Sequence, residues 1–406
     1  MDTKKKVWLV AGSRTPIGSF GRTLKDVKVD TLAGHVMLQA IRRAGISPNQ
    51  IDGIILGHGY QSAYTPNTAR FAALKFGLPA HIPAMTVQRQ CGSGMESVNL
   101  AAKEIVLGHG DIYLAGGAES MSTVPYLLPG DMRFRGAWAR WVSKFGPRPV
   151  FGKLADDGLA PKALIWDLKS VYMSGTAQRV ADTYGITRQA ADEYALRSQQ
   201  LAAAAIAAGR FNLEIDALEV PGRGFFAVDE HPRKTSAEKL AALPGVLKTR
   251  DITAGNSSGI NDGACALIVA SDVKATELGL TPLAVLVDSA VAGVDPEQMG
   301  LGPVAAIGKL LARNGLTLAD IDLVEINEAF AAQYVACEKL LGLDRNKVNV
   351  NGGAIALGHP IGMSGARLIL TLAHELRIRG LKRGIASLCI GGGMGVATLI
   401  EAPEKA

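Results

Sequence analysis

The sequence predicts an α/β protein built in layers from two similar halves, with a segment of different character set between them. Two observations carry this. Residues 37–56, MLQAIRRAGISPNQIDGIIL, and residues 307–326, IGKLLARNGLTLADIDLVEI, repeat one pattern. Each is an amphipathic helix stopped by a glycine (Gly45, Gly315), then a polar connection, then Ile-Asp and an apolar strand. Downstream, TVQRQCGSGMESVNLAAKEIVLGHGDIYLAGGAES and VNVNGGAIALGHPIGMSGARLILTLAHELRIRGLKRGIASLCIGGGMG both run strand, Gly-rich turn, helix, strand and glycine pair. The offset of about 270 residues is far too long for a solenoid period and marks two copies of one half.

Strands alternating with helices imply mostly parallel sheets covered by helices. The helix over 95–106, MESVNLAAKEIV, is apolar on most of its circumference and belongs between layers. From about 121 to 250 the rhythm breaks: residues 121–161 hold prolines, basic residues and two of the four tryptophans, and two helical stretches and PGRGFFAVDEHPRKTS follow. This reads as an inserted loop domain, where substrate binding often resides. The division expected is residues 1–120, completed by 251–272, as the first half, 121–250 as the loop domain, and 273–406 as the second half.

Bulk numbers narrow the class. The chain has 406 residues, 48% apolar and 20% charged, which is globular and long enough for two domains or one large layered body. No apolar run approaches the ~18 residues of a membrane span. The amino-terminal MDTKKKVWLVAGSRTP lacks the apolar core and cleavage site of a signal peptide, and the terminal EAPEKA carries no address motif. The four cysteines are widely spaced and form no C-x-x-C, so neither a disulfide framework nor a structural zinc is expected, and a reducing cytoplasm fits. The net charge of +6 suits an anionic small molecule, and no nucleic-acid-binding pattern accompanies it.

Among candidate chemical groups Cys91 comes first. An arbitrary cysteine is most often a small buried hydrophobe. This one sits where a strand gives way to a helix, in QRQCGSGMES, where the helix end favours a thiolate. Gly92 and Gly94 would let the chain turn and a ligand approach. His359 lies in NGGAIALGHPIGMSGAR among Gly352, Gly353, Gly358, Gly362 and Gly365. That glycine density suggests a loop passing close to substrate rather than a packed core. Cys389, in SLCIGGGMG, ends an apolar strand as a second thiol beside glycines. Asn327 precedes EAFAAQYVACEKLL, so it is expected to cap that helix, a role compatible with one in an active site. Cys265 and Cys337 sit in plain apolar patterns and go to the core. The Gly-rich runs fit neither a P-loop nor a dinucleotide fingerprint, and HEL at 374–376 lacks a zincin's second histidine, so no metal site is expected.

At these residues the chain resembles the thiolase family, acyl-CoA acyltransferases that make or cleave 3-ketoacyl-CoA. The motifs are RTPIGSF, CGSGMES, AGGAESMS, TAGNSSGINDGA, GVDPEQMGLGP, NEAF, NGGAIALGHPIG and CIGGGMG, in family order along nearly the whole chain. The resemblance implies a five-layered αβαβα core from two similar halves plus a loop domain. It implies that Cys91 carries the acyl group, His359 takes its proton, and Cys389 acts as acid and base. Asn327, through a bound water, and His359 would form one oxyanion hole; the N–H groups of Cys91 and Gly391 would form the other. By position, Ser258 and Ala254 match pantetheine contacts, Arg233 an adenine-side arginine, and Met173, Met299 and Phe330 the pantetheine and acyl pocket. Tyr172-Met173-Ser174 replaces the His-Met-Gly common in short-chain members, so the coenzyme contact of that histidine is not implied here.

The resemblance further implies coenzyme A and acyl-CoA as substrates, no tightly bound cofactor, and a homodimer or homotetramer. The leading activity is acetyl-CoA C-acetyltransferase. The alternatives are a long-chain 3-ketoacyl-CoA thiolase of β-oxidation and, more distantly, a catalytically silent coenzyme A- or RNA-binding scaffold. One segment departs from the short-chain pattern: residues 131–153 place Arg133, Arg135, Arg140, Lys144, Arg148 and Lys153 around Trp138 and Trp141, against Asp131 alone. A solvated loop and a lid or membrane-surface patch for long acyl chains are the competing readings.

Overall fold

The computed structural model describes residues 5–127, 156–157, 165–166 and 171–403. The basic tryptophan-bearing segment 131–153 lies outside them.

One hydrogen-bonded sheet path runs through the molecule. Its strands are β1 (Val7–Arg14), β2 (Gly53–Gly57), β3 (Ala84–Val87), β4 (Ile112–Ser120), β5 (Asn261–Ser271), β6 (Ala284–Gly293), β7 (Leu323–Ile326), β8 (Arg383–Ile390) and β9 (Met394–Glu401). Their spatial order is β7-β8-β9-β6-β1-β5-β4-β2-β3, and five of its eight pairings are antiparallel, so the mostly parallel sheet expected is not what forms. The seam is the antiparallel pairing of β1 with β6, which spans only Val7–Leu9 against Ala284–Leu286. Outward from that seam the two sides match. β1-β5-β4-β2-β3 faces β6-β9-β8-β7, and Val348, bridged parallel to Val324, stands where β3 stands in the first half.

The principal helices are α1 (Val29–Ala44), α2 (Ser93–Val106), α3 (Met173–Tyr184), α4 (Arg188–Ala207), α5 (Gly302–Asn314), α6 (Ala331–Leu341) and α7 (Ile361–Arg379). Strand periodicity assigns the layers, because successive side chains point to opposite faces. Along β5, Ala264, Ala266, Ile268 and Ala270 join the apolar cluster of α1, while Cys265, Leu267 and Val269 join that of α2 and α7. Along β9, Ala397 and Leu399 join the cluster of α5, while Val396 and Ile400 face α2 and α7. The order is therefore α1, first-half strands, α2 with α7, second-half strands, α5: five layers. The helix read as a sandwiched one is α2, in the middle layer.

The repeat has a hydrogen-bonding reason. Gly45 and Gly315 end α1 and α5 in the left-handed conformation, with φ of 69° and 62°. Asp52 then accepts the N–H groups of Asp111 and Ile112, and Asp322 accepts those of Lys382 and Arg383. Each carboxylate holds the start of the neighbouring parallel strand, β4 or β8, and this accounts for Ile-Asp recurring before both strands.

Between β4 and β5, α3 and α4 dock on the outer face of the second half. Ala177, Val180, Ala191, Tyr194 and Ala195 pack with Ile326, Tyr334 and Val348, and the Tyr194 and Tyr334 rings stack with centroids 3.9 Å apart. Cys265 and Cys337 are buried as expected, and all four cysteines are free thiols. Among the described residues no helix is long and apolar enough to cross a membrane.

Candidate active site

Cys91 lies just ahead of Gly92, the cap of α2. The sharp turn before it is made by Gln90, with φ 46°, whereas Gly92 has the ordinary helical values −82° and −5°. Ser93 braces the turn: its Oγ accepts from Arg89 N at 2.8 Å and donates to the Gln90 carbonyl at 2.6 Å. The glycines thus do a different job from the one expected. A Cβ on Gly92 would lie 2.6 Å from Ile390 Cδ1, and one on Gly94 2.4 Å from the Gly362 carbonyl oxygen. Gly362 and Gly365, read as loop residues, lie in the first turns of α7, where a Cβ would meet Ala118 O or Met95 N at 2.4 Å. The packed core does require this glycine, because it lets two helices touch backbone to backbone at their amino-terminal ends. Cys91 and Ile361 consequently share one small apolar cluster with Met121 and Ile260.

The helix end does not lower the Cys91 pKa below its usual value. Burial pushes the thiol up to about 11, against the pull of the Gly391 and Cys91 N–H groups on the sulfur, and the Glu119 charge adds to the rise. Both N–H groups thus lie close enough to the sulfur to act on it.

His359 is fixed by two contacts. Its N–H donates to Asn261 Oδ1 at 2.9 Å, and its Nδ1 lies 2.6 Å from Ser364 Oγ. The Ser364 hydroxyl donates to the Pro360 carbonyl at 2.8 Å, so it accepts from Nδ1–H. That tautomer leaves Nε2 as an acceptor, and this buried atom has no partner. Burial, then the Arg367 charge, pushes the imidazole down to about 4. The resting pair is a thiol and a neutral base.

Asn327 follows β7 and is fully buried. It does not cap a helix: α6 begins at Ala331 with Phe330 as its cap residue, three positions later. Its N–H donates to the Ser387 carbonyl at 2.9 Å, while Oδ1 and Nδ2 have no partner. A buried amide with neither group satisfied is costly and marks a place for a ligand. Cys389, near the end of β8, is held well above its usual pKa by burial first and by the Cys91 charge next. It packs with Met173, Met299, Ala329 and Phe330.

The remaining expected contacts form an inner and an outer group. Met173, Met299 and Phe330 share the cluster of Cys389, and a Cβ on Gly391 would sit 3.9 Å from Met173 Sδ. Ser258 N donates to the Ala329 carbonyl, beside Phe330. Further out, Ala254 is exposed and its carbonyl accepts from Arg233 Nη2 at 3.1 Å. The first turns of α2, α3, α6 and α7 all border this region, and none has a side-chain cap, whereas Thr187 caps α4. Some of their N–H groups are taken, Gly362 N by Glu119 and Ala331 N by the Asn256 carbonyl, but their positive dipole ends favour negative charge here.

Three residues went unrecognised in the sequence. Ser364 and Asn261 set His359, and Glu119 sets its helix, accepting from Gly59 N, Tyr60 N and Gly362 N, with His58 Nε2 3.1 Å away. Glu119 and Asn261 stood inside quoted motifs, but their partners are remote in sequence.

Residues 7–273 match the family described as thiolase, N-terminal domain, and residues 280–402 the thiolase, C-terminal domain. The chain belongs to the thiolase family. It is 47% identical over 410 residues to the acetyl-CoA acetyltransferase of Syntrophomonas wolfei, covering 98% of this chain and 99% of that one. The crystal structure of the Bacillus anthracis acetyl-CoA acetyltransferase is similar at a TM-score of 0.92, with 45% identity, 99% of this chain and 100% of that one covered. Human mitochondrial 3-ketoacyl-CoA thiolase, in a crystal structure with CoA, is similar at 0.90, with 42% identity and 98% of each chain covered. In this thiolase, Gly391 and Cys389 lie close to Cys91; His359 is two residues ahead of Ile361, which packs with Cys91, and Asn327 two residues ahead of Ala329, which packs with Cys389.

Proposed function

We propose that the protein is an acyl-CoA:CoA acyltransferase that makes or cleaves 3-ketoacyl-CoA through acyl-Cys91, working as an acetyl-CoA C-acetyltransferase. The observation that carries this is the buried, unpartnered His359 Nε2, two residues ahead of Ile361, which packs in one small cluster with Cys91. Cys91 attacks the thioester carbonyl while His359 Nε2 takes the thiol proton, and the Cys91 and Gly391 N–H groups hold the oxyanion. Cys389 gives its proton to the departing coenzyme A sulfur. The resulting thiolate removes a proton from the methyl of a second acetyl-CoA, which restores the thiol. Asn327, through a bound water, and protonated His359 hold the enolate oxygen. The enolate carbon attacks acetyl-Cys91, acetoacetyl-CoA leaves, and the Cys91 thiolate recovers its proton from His359. Thiolysis is the reverse.

Residues 121–250 serve as the loop domain, between a first half of 1–120 with 251–272 and a second half of 273–406. Arg233 and Ala254 at its edge, with Ser258 further in, lie on the coenzyme A path. Met173, Met299 and Phe330 close the inner pocket and favour a short acyl group. The similarity to the 3-ketoacyl-CoA thiolase keeps longer acyl chains as a second reading. The free thiols suit the cytoplasm. A homo-oligomer is supported by β3, which ends the sheet path with Met85 46% exposed beside exposed Phe71 and Leu74. The test is intact mass after brief incubation with acetyl-CoA. Wild type gains one acetyl group, Cys91→Ser gains none, and longer acyl-CoAs label progressively less. Equal labelling by a long acyl-CoA would transfer the protein to the second reading.

A further inference from the structure

The Asn327 amide has no partner of its own, so something else must aim it. Its N–H is tied to the Ser387 carbonyl, which fixes one side. The other side is Glu328, fully buried and saturated: Oε1 accepts from Tyr194 OH at 2.7 Å and Asn349 Nδ2 at 3.0 Å, and Oε2 accepts from Ser198 Oγ at 2.6 Å and Ile355 N at 3.1 Å. A carboxylate offers about four acceptor sites, and all are used here. A Cβ on Gly353 would lie 2.3 Å from Glu328 Cδ, so that glycine makes room for the carboxylate. Asn349, at φ 47°, adds a second brace by pairing its side chain with both the N–H and the carbonyl of Ile326.

We propose that Glu328 is a positioning residue: it aims the Asn327 amide, through the bound water, at the enolate oxygen and so serves carbon–carbon bond chemistry without serving acyl transfer to sulfur. This rests on the role given to Asn327 above. The selectivity follows from the separate anchoring of the other groups. His359 is held by Asn261 and Ser364, and its helix by Glu119. The Cys91 and Gly391 N–H groups belong to other segments. Exchange of acetyl between acetyl-CoA and labelled coenzyme A needs Cys91, His359, Cys389 and Gly391 but forms no enolate. Condensation needs the enolate. Tyr194 and Ser198 lie on α4, so the inserted region supplies two of the four donors that set this geometry.

The experiment measures both rates on the full chain. Glu328→Gln replaces one acceptor oxygen with an NH2 group that must face two donors whichever way the amide turns. Condensation is expected to fall about 100-fold, the cost of a small misplacement, while exchange falls less than about threefold. Asn327→Ala should show the same split. Tyr194→Phe, which keeps the carboxylate and removes one donor, should show a split of the same sign and about 3- to 10-fold; it decides the matter if Glu328→Gln does not fold. An equal fall in both rates would make Glu328 merely structural, and no fall in either would remove it from the reaction. If Asn327→Ala splits the rates and Glu328→Gln does not, only this proposal is lost. If Asn327→Ala shows no split, the role of Asn327 itself is wrong.

Discussion

The two halves of the core reach the active site through corresponding positions and use them differently. In the repeat, Gly57 after the β2 apolar run corresponds to Asn327 after β7, and His58 corresponds to Glu328. In the first half the pair is consumed by packing. Gly57 lies against α2, where a Cβ would come within 2.3 Å of the Ser93 carbonyl carbon, and buried His58 bonds Thr68 and Glu119. In the second half the same pair is a solvent-free amide with no partner and the carboxylate that holds it. The helix ends diverge likewise: Cys91 precedes α2 and His359 precedes α7. A duplicated frame thus brings two helix amino termini face to face, and each half is then free to specialise.

The strongest way to break this comparison is to give the first half a side chain where only the second has one. Gly57→Ala would press a methyl into the Ser93 and Gly94 backbone, which cannot rotate away. Overpacking of this kind costs about 3 kcal/mol. It should appear as a lower urea midpoint at unchanged m, together with slower acetyl labelling as the first turn of α2 shifts. Labelling at the wild-type rate would show that the tight approach is not what places Cys91.

The Asp52 and Asp322 pair sharpens the comparison. Both carboxylates accept two strand N–H groups at 2.7–2.9 Å. Asp52→Ala and Asp322→Ala should therefore cost similar amounts, about 1–2 kcal/mol each. Turnover by the folded protein should not change. A large inequality in denaturation midpoints would mean that the halves, alike in geometry, carry unequal shares of stability.

These cases also mark what the sequence conveys. The helix stops at Gly45 and Gly315, the Ile-Asp recurrence and the middle-layer helix were legible because each is a local pattern. Cys91, His359 and Cys389 stood out because a reactive side chain in a Gly-rich motif is unusual. What failed was distant. Gly362 and Gly365 looked like loop residues because the surfaces they touch, at Ala118 and Met95, lie more than two hundred residues away along the chain. Asn327 looked like a cap because propensity locates a helix start only to within a few residues. The anchoring of α7 by Glu119 joins positions 243 apart, a separation no local pattern can span.

The smallest effect at neutral pH concerns what α7 carries and α2 does not. Both His359 and His374 ride with α7, and burial pushes each down to about 4, as it does His231 of the inserted region. His35 on α1 moves the same way. For His359, His374 and His231, the unfolded chain binds a proton near pH 6.5 that the folded protein refuses until about pH 4. Stability from these groups is therefore complete above about pH 6.5 and is lost as pH falls toward 4. His374→Gln removes one such proton without touching the catalytic groups. Between pH 6 and 4.5 its unfolding free energy should fall less steeply than that of wild type, by about 1.4 kcal/mol per pH unit. The two curves should run parallel above pH 7. Parallel curves throughout the acid range would mean that His374 gains its proton in the folded state, and that α7 is more open to water at its middle than at its active-site end.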